Sequence, residues 1–135
     1  LGNNTKILIY SPTNDKYDNL NNYSPIIKIQ FGSNSFLFTG DAEKEVEKEV
    51  LKTNVDLKAD VLKLGHHGST SSTSEEFFRA VSPSIGVICV GIDNSYGHPH
   101  KETLKLLEDN KTKIFRTDKD GSIVISSDGT TISKI

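Results

Sequence analysis

Two short stretches hold all four histidines of this 135-residue chain: LKLGHHGSTSST, with His66 and His67 side by side, and NSYGHPH, with His98 and His100 around Pro99. A third stretch, FTGDAE, places two carboxylates, Asp41 and Glu43, one residue apart. Neutral imidazole nitrogen and carboxylate oxygen are the ligands that suit zinc, manganese or iron, and the same groups serve as general acids and bases. Each stretch follows an apolar run: SFLFT, DVLKL and GVICV. In layered α/β proteins ligands bind at the carboxyl ends of strands, so the three clusters point to one shared metal site. Taken singly, each has a plainer reading. Asp41 would cap a helix starting at Glu43. The histidine pair would be a strand end with one solvated and one packed ring. GHPH would be a proline-fixed turn with His100 capping its helix. The coincidence of all three at strand ends favours the shared site.

The elements that must position these residues follow from periodicity. KILIY (Lys6–Tyr10) reads as a strand, and PIIKIQFG and NSFLFTGD form a hairpin about Gly32-Ser33-Asn34. Between them Ser11 to Ser24, rich in Asn, Asp and Ser, is a polar loop of a length that is often functional or mobile. AEKEVEKEVLKTN is helical, with Val46, Val50 and Leu51 on its inner side; the pairs Lys44–Glu47, Glu45–Lys48 and Glu49–Lys52 predict a solvated outer face. ADVLKLG is a strand ending at the two histidines. Ser74 is the predicted N-cap of a short helix running to Val81 and stopped by Pro83. IGVICVG is a buried strand in which Cys89 serves as a small hydrophobe. HKETLKLLEDN (His100–Asn110) is an amphipathic helix with Leu104 and Leu107 inward and Asn110 as C-cap. KIFRT, SIVIS and TISKI close the chain as strands, turned at Asp120-Gly121 and Asp128-Gly129; DKDGS echoes a calcium loop but lacks its later acidic ligands and reads as a hairpin turn. The order is that of a mixed α/β fold with helices packed on a sheet, one domain over residues 1–135.

Composition sets outer limits. A net charge of −2 provides no broad basic face, so tight nucleic-acid binding through electrostatics alone is not expected. No apolar run reaches the roughly 20 residues that span a bilayer. One cysteine excludes an internal disulfide. The absence of methionine and the opening Leu1-Gly2 are expected of a piece of a longer protein, with trimming of the first residues as the alternative.

Together, LFTGDAE, ADVLKLGHHGSTSS, NSYGHPH and IFRTDKDGSIVI resemble the C-terminal half of the metallo-β-lactamase-like domain of the ComEC family of competence proteins, which carry DNA into bacteria. The resemblance runs from about Asn22 to the end. Phosphorylcholine esterases of the same superfamily share the motifs. The resemblance implies an αββα sandwich, here its second half, with one or two metals between the sheets. It implies Asp41 as the carboxylate bridging two divalent ions (zinc or manganese) and His67 as a ligand of the second ion. His66 then orients or contacts substrate, the reversed assignment of the two histidines staying open. Glu43 faces the same cavity as a catalytic group, and His98 reaches a substrate oxygen. Ser69, Thr70 and Tyr96 are candidate substrate contacts; a flexible loop and helix cap is the alternative for the Ser/Thr string.

The superfamily's His-x-His-x-Asp-His cluster is missing; the family places it N-terminal to Leu1. Two ligands rarely hold zinc tightly, since catalytic sites use at least three. The chain by itself is therefore expected to bind metal weakly or not at all, to be inactive alone, and to present an apolar face to the missing N-terminal half or to a second copy of itself. The expected function of the intact domain is metal-dependent hydrolysis of phosphodiesters, a nuclease role in DNA uptake, with DNA as substrate. The alternatives are a phosphorylcholine-esterase-like hydrolase and a non-catalytic binding module that has lost its metals. The expected setting is a bacterial protein of the cytoplasmic membrane with this domain outside it, or a secreted one.

Overall fold

A computed structural model describes residue 2 and residues 4–135. Six strands form one sheet in sequence order: β1 (Thr5–Ile9), β2 (Ile27–Phe31), β3 (Asn34–Phe38), β4 (Val61–Lys63), β5 (Ile85–Ile88) and β6 (Lys113–Arg116). β1, β2 and β3 are antiparallel; β3 to β6 run parallel. The parallel steps require crossovers, supplied by α1 (Lys44–Lys52), α2 (Glu75–Val81) and α3 (Lys101–Asp109). Because the strands step in one direction, crossovers of one hand lay all three helices on one face. A mixed α/β sheet with packed helices is thus present, as the periodicities predict.

Register explains where the core lies. Leu37, Leu62, Gly86 and Ile114 form one row across β3 to β6. Leu37 and Leu62 pack with Ile88, Val46, Val50, Phe77, Phe78 and Leu107 in a fully enclosed cluster on the helix side. The alternate row, Phe38, Lys63, Val87 and Phe115, faces the other way. That second face is also apolar, and a separate two-stranded sheet, β7 (Ile125–Ser127) with β8 (Ile132–Lys134), lies against it. The small sheet is tied down by Asn34, whose Nδ2 donates to the Thr130 carbonyl and whose Oδ1 accepts from Ser127. Between the two sheets Phe36, Phe38, Val87, Cys89, Ile123 and Ile125 border a cleft of about 260 Å³.

Helix ends follow local chemistry. Ser74 Oγ accepts from Phe77 N at the start of α2, and Ser82 ends it in a left-handed conformation (φ 49°) before Pro83. Asn110 is the C-cap of α3.

Four local expectations are corrected. The outer face of α1 is not simply solvated: Glu47 is 1% exposed and its carboxylate accepts from the backbone N–H groups of Thr73 and Ser74, while Glu45 and Glu49 bind Asn22 and the Thr13–Tyr17 segment. The segment from Ser11 to Ser24 is pinned rather than loose, because Tyr17 is buried and its hydroxyl accepts from Thr13 N and Asn14 N while donating to Glu49. At Asp120-Gly121 there is no hairpin: Thr117–Asp120 forms a helical turn, α4. Asp120 accepts from Arg116 N, Asp118 pairs with the Arg116 guanidinium, and the Thr117 hydroxyl bonds Val90, which together favour the turn over a strand reversal. Cys89 is half-buried on the second face, since β5 alternates and only its other row meets the core.

Candidate functional site

β3, β4 and β5 deliver the three clusters to one end of the sheet. After β3 the chain turns at Gly40, whose φ of +53° suits glycine. The Gly40 carbonyl accepts from His66 N (3.1 Å) and from Lys63 Nζ (3.2 Å), which joins the Asp41 turn to the histidine turn. Burial pulls the Lys63 ammonium down in pKa, against the opposing influence of Cys89 and Asp41.

Beyond β4, residues Gly65–Gly68 form a 3-10 turn in which His66 (φ 43°, ψ 50°) and His67 (φ 56°, ψ 24°) are both left-handed. Two consecutive non-glycine residues there cost about 1–2 kcal/mol each, and such strain persists where surroundings over-determine it. Here the determinants are backbone bonds from His66 N to Gly40 and from Ser69 N to the His66 carbonyl. The conformation sends the two rings to different carboxylates: His66 Nδ1 lies 3.3 Å from Glu43 Oε1, and His67 Nε2 lies 3.7 Å from Asp41 Oδ1.

The partners assign the tautomers. His67 Nδ1 lies 2.6 Å from the Cys89 carbonyl, which only accepts, so Nδ1 carries the proton. In the neutral ring Nε2 then presents a lone pair toward the Asp41 carboxylate. An imidazole nitrogen and a carboxylate oxygen thus face each other at 3.7 Å, a pairing that a proton or a metal cation could bridge. A carbonyl fixing the far nitrogen of a metal-ligating imidazole is the usual supporting contact. His66 Nδ1 instead sits between Glu43 and Ser71 Oγ (3.1 Å), and so also bears its proton there.

The GHP segment closes over this pair. Gly68 (φ +82°) makes that possible: a Cβ on it would lie 2.6 Å from the Pro99 Cβ. His98 lies with its ring centre 5.6 Å from that of His66 and 6.5 Å from that of His67. Asn94 clasps the segment, accepting from His98 N and donating to the His98 and Gly91 carbonyls. Burial, followed by the nearby His100, His66 and His67, holds His98 below the ordinary histidine pKa, so it is neutral at neutral pH. His100 occupies the N-cap position of α3 without a side-chain cap bond; its Nδ1 accepts from Thr70 N (3.0 Å). Asp41 does not cap α1, whose N-cap position is held by Glu43.

The Ser/Thr string is largely committed to holding the turn. Ser69 is buried, and its hydroxyl bonds Ser71. Ser72 Oγ donates to the Ala42 carbonyl, and Thr73 Oγ1 accepts from Gly65 N. Thr70 is exposed beside His100, and Tyr96 is 77% exposed against His98. Sequence reasoning missed the residues that aim the carboxylates. Ser24 Oγ accepts from Asp41 N, and Asn22 Oδ1 accepts from Glu43 N. Both lie in the polar loop, where nothing in their type or spacing distinguishes them from their neighbours.

As a metal centre the arrangement is partial. Asp41 and His67 provide a facing carboxylate and imidazole, the donor types that would hold a divalent ion. Among the described residues no set of three or more His, Cys, Asp or Glu side chains is grouped to hold an ion. The two residues fit part of a ligand shell.

No protein-family model matches the chain. It is 45% identical over 103 residues to ComE operon protein 3 of Bacillus subtilis (strain 168), covering 76% of this chain and 13% of that protein. It is 36% identical over 118 residues to Recombination protein 2 of Haemophilus influenzae, covering 87% and 15%. It is 34% identical over 113 residues to Competence protein ComA of Neisseria gonorrhoeae, covering 83% and 16%. The chain thus spans less than a fifth of the length of each of these relatives. Among the described residues no helix is long and apolar enough to cross a membrane. On these alignments the chain is homologous to a short segment of a competence-associated group of bacterial proteins.

Proposed function

We propose that this chain carries one side of the active site of a metal-dependent phosphodiesterase that cuts DNA during bacterial DNA uptake. The observation that carries the reading is the meeting of Asp41 and His67 at 3.7 Å, with Nδ1 of His67 held by the Cys89 carbonyl. The homology to a named competence protein supports the biological setting. In this reading Asp41 and His67 hold divalent metal, zinc or manganese, together with ligands from the rest of the parent protein. Bound metal would polarise the phosphoryl oxygen and lower the pKa of water. His66, with Nδ1 fixed by Glu43, turns its other nitrogen to the substrate. His98, neutral at working pH, donates a hydrogen bond to, or accepts one from, the group beside it. Both polar groups of Thr70 meet His100 Nδ1, the N–H at 3.0 Å and the hydroxyl at 3.2 Å, so Thr70 fastens His100 at the rim of the site.

The parent protein is proposed to lie in the cytoplasmic membrane with this domain outside it. The cleft lined by Phe36, Phe38 and Val87 is proposed to receive the other half of the sandwich or, in the isolated chain, a second copy. The test is manganese- or zinc-dependent cleavage of single-stranded DNA by a protein extended to the length of the homologues. Asp41→Ala is expected to abolish cleavage. Full activity in that variant refutes the assignment. Release of nitrophenol from a model phosphodiester without DNA cleavage would favour a choline-phosphate esterase, and failure on both would favour a binding module.

A further inference from the structure

The loop from Gly91 to His98 does something the hydrolytic residues do not require. It exposes two large apolar side chains, Ile92 (74%) and Tyr96 (77%), on backbone that is held fast by the Asn94 clasp. Its geometry is specific. The Tyr96 ring stacks on His98 with centres 5.7 Å apart and planes 21° apart. His98 in turn lies nearly parallel to His67, at 22°. Three rings therefore form a row running from the Asp41-facing imidazole outward to solvent. Under the row lies a mostly apolar cavity of about 190 Å³, bordered by His67, Val90, Gly91, Asn94, Tyr96 and His98.

We infer that Tyr96 is a stacking platform for a nucleobase of a single strand whose phosphodiester lies at the proposed catalytic site, beside His66 and His98. The inference rests on the phosphodiester reading and narrows its substrate class to unpaired nucleic acid. Every base has a π-face, so aromatic stacking holds single strands with little sequence preference. A paired base keeps both faces against its neighbours in the duplex and has none to offer. With a net charge of −2, the chain gains no affinity for a polyanion from its overall charge, so stacking would have to supply it. Tyr96 is positioned for this by its neighbours: the His98 ring supports one face, and the exposure leaves the other free.

The test is equilibrium binding of fluorescein-labelled oligothymidylate to the chain, compared with a strand of equal length carrying abasic sugars. The chain is expected to bind the base-bearing strand about tenfold more tightly, equivalent to about 1.4 kcal/mol. Tyr96→Ala is expected to erase that preference, Tyr96→Phe to keep it, and neither to change the dependence on salt, since no charge is altered. Tyr96 is largely exposed, so both variants are expected to fold as the parent does. Equal affinity for the two strands overturns the platform, as does a Tyr96→Ala variant that retains the preference. Lack of binding to either strand also overturns it. Failure of the underlying reading is scored separately, by loss of metal-dependent, Asp41-dependent cleavage in the extended protein. A platform that fails while that cleavage persists leaves the phosphodiesterase reading standing.

Discussion

Replacing Glu47 by Ala is the sharpest probe of what holds the histidine turn. The Glu47 carboxylate lies on α1, is 1% exposed, and accepts from Thr73 N and from Ser74 N at 2.8 Å. Those two amides begin α2 and end the strand-to-helix segment that carries Gly65 to Ser72. Leaving a buried donor unpaired costs about 1–3 kcal/mol. The Thr73 amide is buried and bears that in full; water reaches the Ser74 amide in part. Loss of the packed methylenes adds about 0.8 kcal/mol for each CH₂ group, while relief of the buried carboxyl's desolvation offsets some of the total. The net expectation is about 3 kcal/mol of lost stability, measured by urea denaturation, with faster hydrogen exchange at Thr73 and Ser74. The pH dependence gives an independent check. Burial raises the Glu47 pKa above its ordinary 4.5, despite the backbone donors. A raised carboxyl favours the protonated folded state, so its contribution is fully present below about 4.5 and is lost as pH rises through the folded value. Glu47→Gln is expected to abolish that slope. A loss below about 1 kcal/mol in Glu47→Ala, taken with unchanged protection at Thr73, would refute the argument that this carboxylate fastens the turn.

Gly68→Ala places a methyl where the Pro99 Cβ lies 2.6 Å away and in a left-handed conformation; it is expected to displace the GHP segment, seen as changed imidazole NMR shifts of His98 and His100, with unchanged shifts contradicting the close approach. His98 is expected to titrate below 6.5 by imidazole NMR, because burial and three neighbouring histidines disfavour its cation; a value above 6.5 would show that the rings are not gathered. The fully buried Lys28 donates to the Asp56 carboxylate at 2.8 Å, and this bond holds the Asp56 carboxyl below its ordinary 3.8. The stability it lends is present above about 3.8 and falls away as pH drops through the lower folded value, a slope that Asp56→Asn should remove in acid denaturation. Lys28→Met, which removes the buried charge while keeping its volume, is expected to be neutral or mildly stabilising, whereas Asp56→Ala is expected to be destabilising in the same assay because it removes the counter-charge and leaves the lysine only the backbone carbonyl of residue 56 as acceptor.

What could be read from the one-dimensional chain is what depends on neighbours in the chain. The periods of KILIY, IIKIQF and GVICV, the Ser74 cap, the Pro83 stop and the inward Leu107 are local properties, and the elements they predict are present within a residue or two. That Asp41, His66, His67 and His98 share one end of the sheet was also legible, because parallel strands send their C-termini to the same edge. The roles of Glu47, Asn22, Ser24 and the Cys89 carbonyl were not. Glu47 stands in a run of charges with solvated spacing, and only the docking of α1 against Thr73 and Ser74 makes it interior. The Cys89 carbonyl is a backbone atom identical to every other until the left-handed His67 turns its ring to meet it. Residue types and local periodicity therefore determined the elements and the reactive groups. The packing of separate segments decided which groups are aimed, which are neutral and which are enclosed, since those properties depend on atoms distant in sequence and a few ångströms away in space.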